Sequence, residues 1–127
     1  MKKVESLIPD AIASLKNFIG GGKHTIPAEY NGYINSFGIS IRQSGLIPTL
    51  AFYSKKAQAS EEDRTKILDI LFDLVKTLKT DYDRYKNLLI MVLENMDHID
   101  VIQKDIMTAA IAVKYAIRVF QLEEKSS

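Results

Sequence analysis

The chain has 127 residues, 46% of them hydrophobic and 26% charged, a balance that supports one buried core and is too apolar for a disordered chain. It contains no cysteine, which excludes a disulfide framework and thiolate metal sites and fits a reducing cytosol. The net charge of +1 is unevenly spread: residues 1–56 carry seven Lys/Arg against three Asp/Glu, and residues 57–100 carry six against ten. Such a chain can present a basic side to a polyanion and an acidic side to a basic neighbour.

Val4, Leu7, Ile8, Ala11, Ile12, Leu15, Phe18 and Ile19 recur at three- and four-residue steps, predicting a first helix over residues 1–19 with Pro9 starting or kinking its main part. No apolar run approaches the ~18 residues of a membrane span. Glu5, Pro9 and Asp10 interrupt any signal-peptide core, so a cytoplasmic protein without a membrane partner is expected. A Gly-rich loop follows over residues 20–25, with Lys23 and His24 in it. It is not a phosphate loop, because Asn17 stands where a glycine is required and His24 where Ser or Thr must follow the lysine.

Thr25 is positioned to cap a second helix with Pro27 in its first turn and Tyr30, Tyr33, Ile34, Phe37 and Ile41 facing inward. Gly32 and Gly38, each costing about 1 kcal/mol in a helix relative to Ala, imply close approach of another helix. Gly45 suits the left-handed position that ends a helix and Pro48 the first turn of a short third helix, from Ile47 to about Lys56. Ser60 and Asp63, with Glu61 and Glu62, mark a fourth start, followed by Ile67, Leu68, Leu71, Leu74, Val75 and Leu78 as a buried stripe. After a break at Thr80-Asp81, a fifth helix from Asp83 turns Tyr85, Leu88, Leu89, Val92 and Met96 inward. The last helix, from about Asp100 to Leu122, buries Val101, Ile102, Ile106, Ala109, Val113, Ala116, Ile117 and Phe120, and residues 123–127 fray. No segment alternates with period two. The expected fold is all-α: residues 1–127 form a single-domain compact bundle of five to six helices.

Asp97, His98 and Asp100, with Asp105 nearby, can be read as a metal site, but they serve more simply as caps at an interhelical break. No metal, cofactor or catalytic residue is expected. Tyr30, Tyr33 and Tyr85 fall at core spacing, leaving Tyr53 and Tyr115 as tyrosines that can stack on bases. Lys16, Lys23, Arg42, Lys55, Lys56, Lys114 and Arg118 lie off the apolar stripes, with Lys114 and Arg118 sharing one helix face. From the residues alone, three classes stay open: a nucleic-acid-contacting module, a free-standing helical homo-oligomer or adaptor, and a small metal-dependent hydrolase at Asp97, His98 and Asp100.

Ile26-Pro27, Tyr30, Ile34, Arg42-Gln43-Ser44-Gly45-Leu46 and Thr49-Leu50-Ala51-Phe52-Tyr53-Ser54-Lys55 resemble the small helical subunit of type III-B CRISPR effector complexes. The likeness spans most of the chain. It departs near the end, where the family's Trp-Leu-Lys-Arg-Phe-like run is replaced by Lys114-Tyr115-Ala116-Ile117-Arg118-Val119-Phe120, which keeps the arginine and lacks the Trp. The resemblance implies a non-catalytic subunit of a prokaryotic, RNA-guided antiviral ribonucleoprotein. Its partners would be copies of itself, the backbone and large subunits, and the guide RNA/target RNA duplex. It would contact that duplex through the RNA backbone alone, as base pairing reads the sequence. Lys23, Arg42, Lys55, Lys114 and Arg118 are the candidates for RNA-backbone binding, and Glu61, Glu62 and Asp69 for subunit contact.

Overall fold

A computed structural model describes residues 2–21, 24–55 and 62–123. The expectations placed on Lys23, Lys56, Ser60 and Glu61, and on the tail beyond residue 123, lie outside the described residues. Helix α1 spans Lys2–Leu15 and buries Val4, Leu7, Ala11 and Leu15. Pro9 sits inside it, on the exposed side, where the carbonyl left without a partner can be hydrated. The chain then widens into a π-turn, Lys16–Gly20, closed by Gly21 in the left-handed conformation (φ 57°, ψ 32°), whose N–H donates to the Lys16 carbonyl.

Thr25–Pro27 is not the first turn of a helix. It forms strand β1, paired in parallel with β2, Gln121–Glu123, in the register Thr25↔Gln121, Ile26↔Leu122 and Pro27↔Glu123. The Gln121 N–H donates to the His24 carbonyl at 2.9 Å, and the Ala28 N–H to the Glu123 carbonyl at 2.8 Å. Proline is tolerated because an edge strand leaves one side of its backbone unpaired, and it holds Ile26 extended. Glu123, the first residue of the expected frayed tail, is therefore held in place, paired with Pro27 and accepting from Ala28.

Helix α2, Glu29–Ser44, buries Tyr30, Ile34, Phe37 and Ile41. The Gly45 corner joins it to α3, Leu46–Tyr53, with Pro48 in the first turn. Gly45 adopts φ 96°, ψ 165°, which has positive φ but extended ψ, a region almost confined to glycine. The corner is pinned by Thr49, whose Oγ1 donates to the Gly45 carbonyl at 2.8 Å and lies 2.7 Å from Ser40 Oγ. Gly38 admits Met107 of the last helix, whose Cε would lie 3.5 Å from an added Cβ. Gly32 faces open space among the described residues, so no helix contact explains it.

The fourth helix, α4, spans Thr65–Leu78 and buries Ile67, Leu68, Ile70, Leu71, Phe72, Leu74 and Val75, more of its circumference than a single stripe. Asp63 caps it, Oδ1 accepting from the Thr65 N–H at 3.0 Å and Oγ1 at 2.6 Å. The segment before it is tied to α2: Tyr30 Oη donates to the Asp63 carbonyl at 3.1 Å and Tyr33 Oη to the Glu62 carbonyl at 2.8 Å. A 3₁₀ turn, Thr80–Arg84, replaces the expected start of the fifth helix at Asp83. Helix α5, Leu88–Leu93, begins at Asn87, whose Oδ1 accepts the Ile90 N–H at 2.9 Å.

The last helix, α6, covers Ile99–Ala116 and continues as a 3₁₀ turn, Ile117–Val119, before β2. Its buried Ala109, Ala110, Ala112 and Ala116 are small enough for α1 to pack along it. Met96 and Val101, expected inside, are 47% and 50% exposed: Met96 falls in the 3₁₀ turn Met96–His98 beyond the end of α5, and Val101 flanks the buried stripe carried by Ile102 and Ile106. Asp105 is buried in α6, paired with Lys79 at 2.9 Å and accepting from Tyr82 Oη at 3.1 Å. Six α-helices and a two-stranded sheet among the described residues make the fold all-α.

Candidate nucleic-acid interface

Asn31, Asn35, Ile39 and Arg42 follow one another at intervals of three or four residues, so α2 presents them on one face. Opposite stand Lys114, Ile117 and Arg118 from the end of α6 and its 3₁₀ extension. Phe120 and Leu122 complete the walls where the chain enters β2. Together they enclose an open groove of about 690 Å³. The β1–β2 pair shapes it, since tying residues 121–123 to the lead-in of α2 holds the two walls in register.

Arg42, Lys114 and Arg118 are all exposed, and no residue lining the groove is acidic. None of the three forms an ion pair among the described residues. The Arg118 guanidinium lies 5.1 Å from the centre of the Tyr115 ring, which leaves its hydrogen-bond donors available while the ring faces it. Arg42 lies back toward Gly38, its Nη2 3.9 Å from where a Cβ would stand, an ordinary contact distance. Three cations, two carboxamides and an exposed aliphatic residue make a surface suited to phosphate oxygens and sugar edges.

Three of the five residues expected to bind RNA backbone thus share one groove, although α2 and α6 are distant in sequence. Lys55 is exposed in the turn after α3 and does not line the groove. Lys23 lies outside the described residues. Of the two tyrosines put forward for stacking, Tyr115 is 40% exposed and borders Arg118. Tyr53 is buried; it donates to the Tyr33 carbonyl at 2.7 Å and packs edge-on to Phe37, so it cannot meet a base. Burial pushes its phenol up to about 12, with Arg64 opposing. The aromatic that the same helix exposes is its neighbour Phe52, covered by the Arg64 guanidinium at 4.3 Å.

Sequence reasoning passed over Asn31, Asn35 and Ile39, although their spacing from Arg42 was the available signal. Phe120 is buried as expected, its edge closing the groove, whereas Leu122 was expected at a helix end because the strand that holds it is too short to leave a pattern. On the acidic side, Glu62 is half-buried, its N–H donating to Glu29 Oε2 at 3.2 Å. Asp69 lies on α4 beside a cleft of about 250 Å³ that also involves Ser54, Thr65, Leu68 and Asn87. Desolvation raises the Asp69 carboxyl above its ordinary range and Asp63 adds to this, with Lys66 opposing. Glu61 lies outside the described residues. Asp97 and His98 are 3.6 Å apart and both strongly exposed, and Asp105 is engaged by Lys79 and Tyr82. The hydrogen bond from Lys79 to Asp105 raises the Lys79 ammonium above its ordinary value, with burial opposing.

Fold and groove together define a small all-helical protein with a concave cationic face. Residues 9–115 match the family of CRISPR-associated proteins designated Cas_Cmr5, and the chain belongs to that family, subunits of type III-B CRISPR complexes. The matched stretch includes Arg42 and Lys114 and stops before Arg118. Comparison with curated proteins and with solved structures returns no significant match. No helix among the described residues is long and apolar enough to cross a membrane.

Proposed function

We propose that this protein is a non-catalytic small subunit that holds target RNA, paired to guide RNA, by its ribose-phosphate backbone in antiviral defence. The observation that carries the proposal is the gathering of Arg42, Lys114 and Arg118 from two distant helices into one groove whose lining includes no carboxylate. Like charges placed side by side repel unless an anion lies between them, and a phosphate chain supplies anions at regular intervals. Lys23 and Lys55 extend the contact along the strand beyond the groove. Base pairing supplies the sequence information, and this subunit reads only charge and shape.

Copies of the chain stack beside the backbone and large subunits, with the acidic middle, Glu61, Glu62 and Asp69, meeting basic neighbours. Reversing Arg42, Lys114 and Arg118 to Glu within the assembled complex is expected to weaken capture of target RNA while the subunit still folds and assembles. Unchanged capture by such an assembled complex would remove the groove from the RNA path and favour a purely protein-binding adaptor.

A further inference from the structure

Between α1 and α4 lies another concavity, of about 310 Å³, lined by Asp10, Ala13, Ser14, Asn17, Asp73 and Thr77. Asp10 and Ser14 are four apart on α1 and Asn17 follows in the π-turn, while Asp73 and Thr77 are four apart on α4. Two carboxylates give the pocket negative charge, while the Asn17 amide and the Ser14 hydroxyl can donate as well as accept. Asp10 and Asp73 form no ion pair among the described residues. The Thr77 hydroxyl hydrogen is committed to the Leu74 carbonyl at 2.7 Å, which leaves its oxygen lone pairs available. Ser14 is only 3% exposed, and its Oγ has no hydrogen-bond partner. Buried hydroxyls are rarely left in that state, so this one points to a partner supplied from outside the chain, and the two carboxylates beside it favour a cationic one.

We propose that the α1–α4 pocket receives an arginine side chain from a different protein of the same complex. A guanidinium is planar and carries five N–H donors in a fork, so it can bridge carboxylates on two helices and still reach a hydroxyl oxygen. A lysine ammonium presents three donors from a single point and is held more tightly by water. A hard divalent cation would draw six or more oxygens, whereas no group of three or more His, Cys, Asp or Glu converges among the described residues.

Of this chain's own four arginines, two already donate within the chain and the other two belong to the cationic groove, which assigns the pocket to an arginine of a different protein. Arg64 donates to the Phe52 carbonyl, Arg84 to Tyr85 Oη, Arg118 faces Tyr115 and Arg42 lines the cationic groove. The inference rests on membership in a family of complex subunits and, for setting aside Arg42 and Arg118, on the proposed contact with RNA.

The test is titration of the ¹⁵N-labelled full chain with N-acetyl-arginine amide at constant ionic strength, followed by amide shifts. N-acetyl-citrulline amide, the uncharged isostere, N-acetyl-lysine amide and MgCl2 form the other arms. The arginine compound is expected to move the amides of Asp10, Ala13, Ser14, Asn17, Asp73 and Thr77 saturably. Citrulline should leave them in place, and lysine should bind more weakly than arginine. Asp10→Asn with Asp73→Asn should weaken arginine binding at least tenfold, and Asp10→Asn alone, at an exposed position, provides the same comparison with less risk to the fold. Ser14→Ala should keep the fold and weaken binding several-fold. Equal shifts with citrulline, undiminished binding by the folded Asn variants, or saturation of the same amides by Mg²⁺ would each overturn the assignment.

Discussion

Gly45 and Gly32 are both glycines of the second helical region, yet the backbone treats them differently. At Gly45 an added Cβ would meet nothing closer than Pro48 Cδ at 3.7 Å, so the obstacle to a side chain is the positive φ itself. Gly45→Ala is expected to destabilise the protein by about 1–3 kcal/mol, measured as the shift in a denaturant midpoint. Gly32→Ala, placed in open space within a helix, is expected to stabilise it by up to about 1 kcal/mol. The requirement for glycine at the corner was legible in the sequence, because Gly45 stands between two apolar-periodic stretches. The freedom at Gly32 was not, since helical spacing does not reveal which face lacks a neighbour.

Tyr53 gives a second test at this scale. Its phenol is raised from 10.0 to about 12 by burial, so the neutral form that donates to Tyr33 contributes fully below pH 10. That contribution is lost as pH rises from 10 through 12, because the unfolded chain ionises first. Tyr53→Phe should cost about 1 kcal/mol near neutrality. Thermal melts across this alkaline range should show the gap between wild type and variant narrowing, whereas a gap independent of pH would contradict the burial of this hydroxyl.

At the scale of elements, the periodic helices were readable and their ends were not. α1, α2, α4 and α6 announced themselves through three- and four-residue repeats, each long enough to average over local exceptions. The β1–β2 pair gave no such notice, because three residues per strand cannot display a period of two and the partners lie almost a full chain apart. Met96 and Val101 were misplaced at element ends: α5 stops at Leu93, which leaves Met96 in a 3₁₀ turn, and Val101 flanks a stripe whose members Ile102, Ile106, Ala109 and Val113 are buried as expected. Ile26, fully buried in β1, holds the strand pair against the core. Ile26→Ala is expected to cost about 2–5 kcal/mol in equilibrium unfolding. Because β2 forms part of the groove wall, hydrogen exchange at residues 120–123 should accelerate with it. Loss of stability with unchanged exchange there would mean that the strand pair does not couple the C-terminal segment to the core.

For the molecule as a whole, the candidate site was half legible. Sign and position off the apolar stripes identified Arg42, Lys114 and Arg118. What joined them was tertiary packing, the seating of α2 beside the end of α6, which charge counting cannot supply. The same packing excluded Lys55 from the groove and buried Tyr53. Long-range pairing of short strands finished the cavity and brought Leu122 to its wall beside the buried Phe120. The measurement that tests the central claim most directly is the salt dependence of target RNA binding by the assembled complex, wild type against Arg42→Gln, Lys114→Gln and Arg118→Gln combined. Each phosphate contact contributes about 0.7–0.9 to the slope of log K against log salt, so losing three should flatten that slope by about 2–3. A flattened slope with assembly intact is the predicted result, and a slope equal to wild type would contradict the assignment of this groove to the RNA backbone.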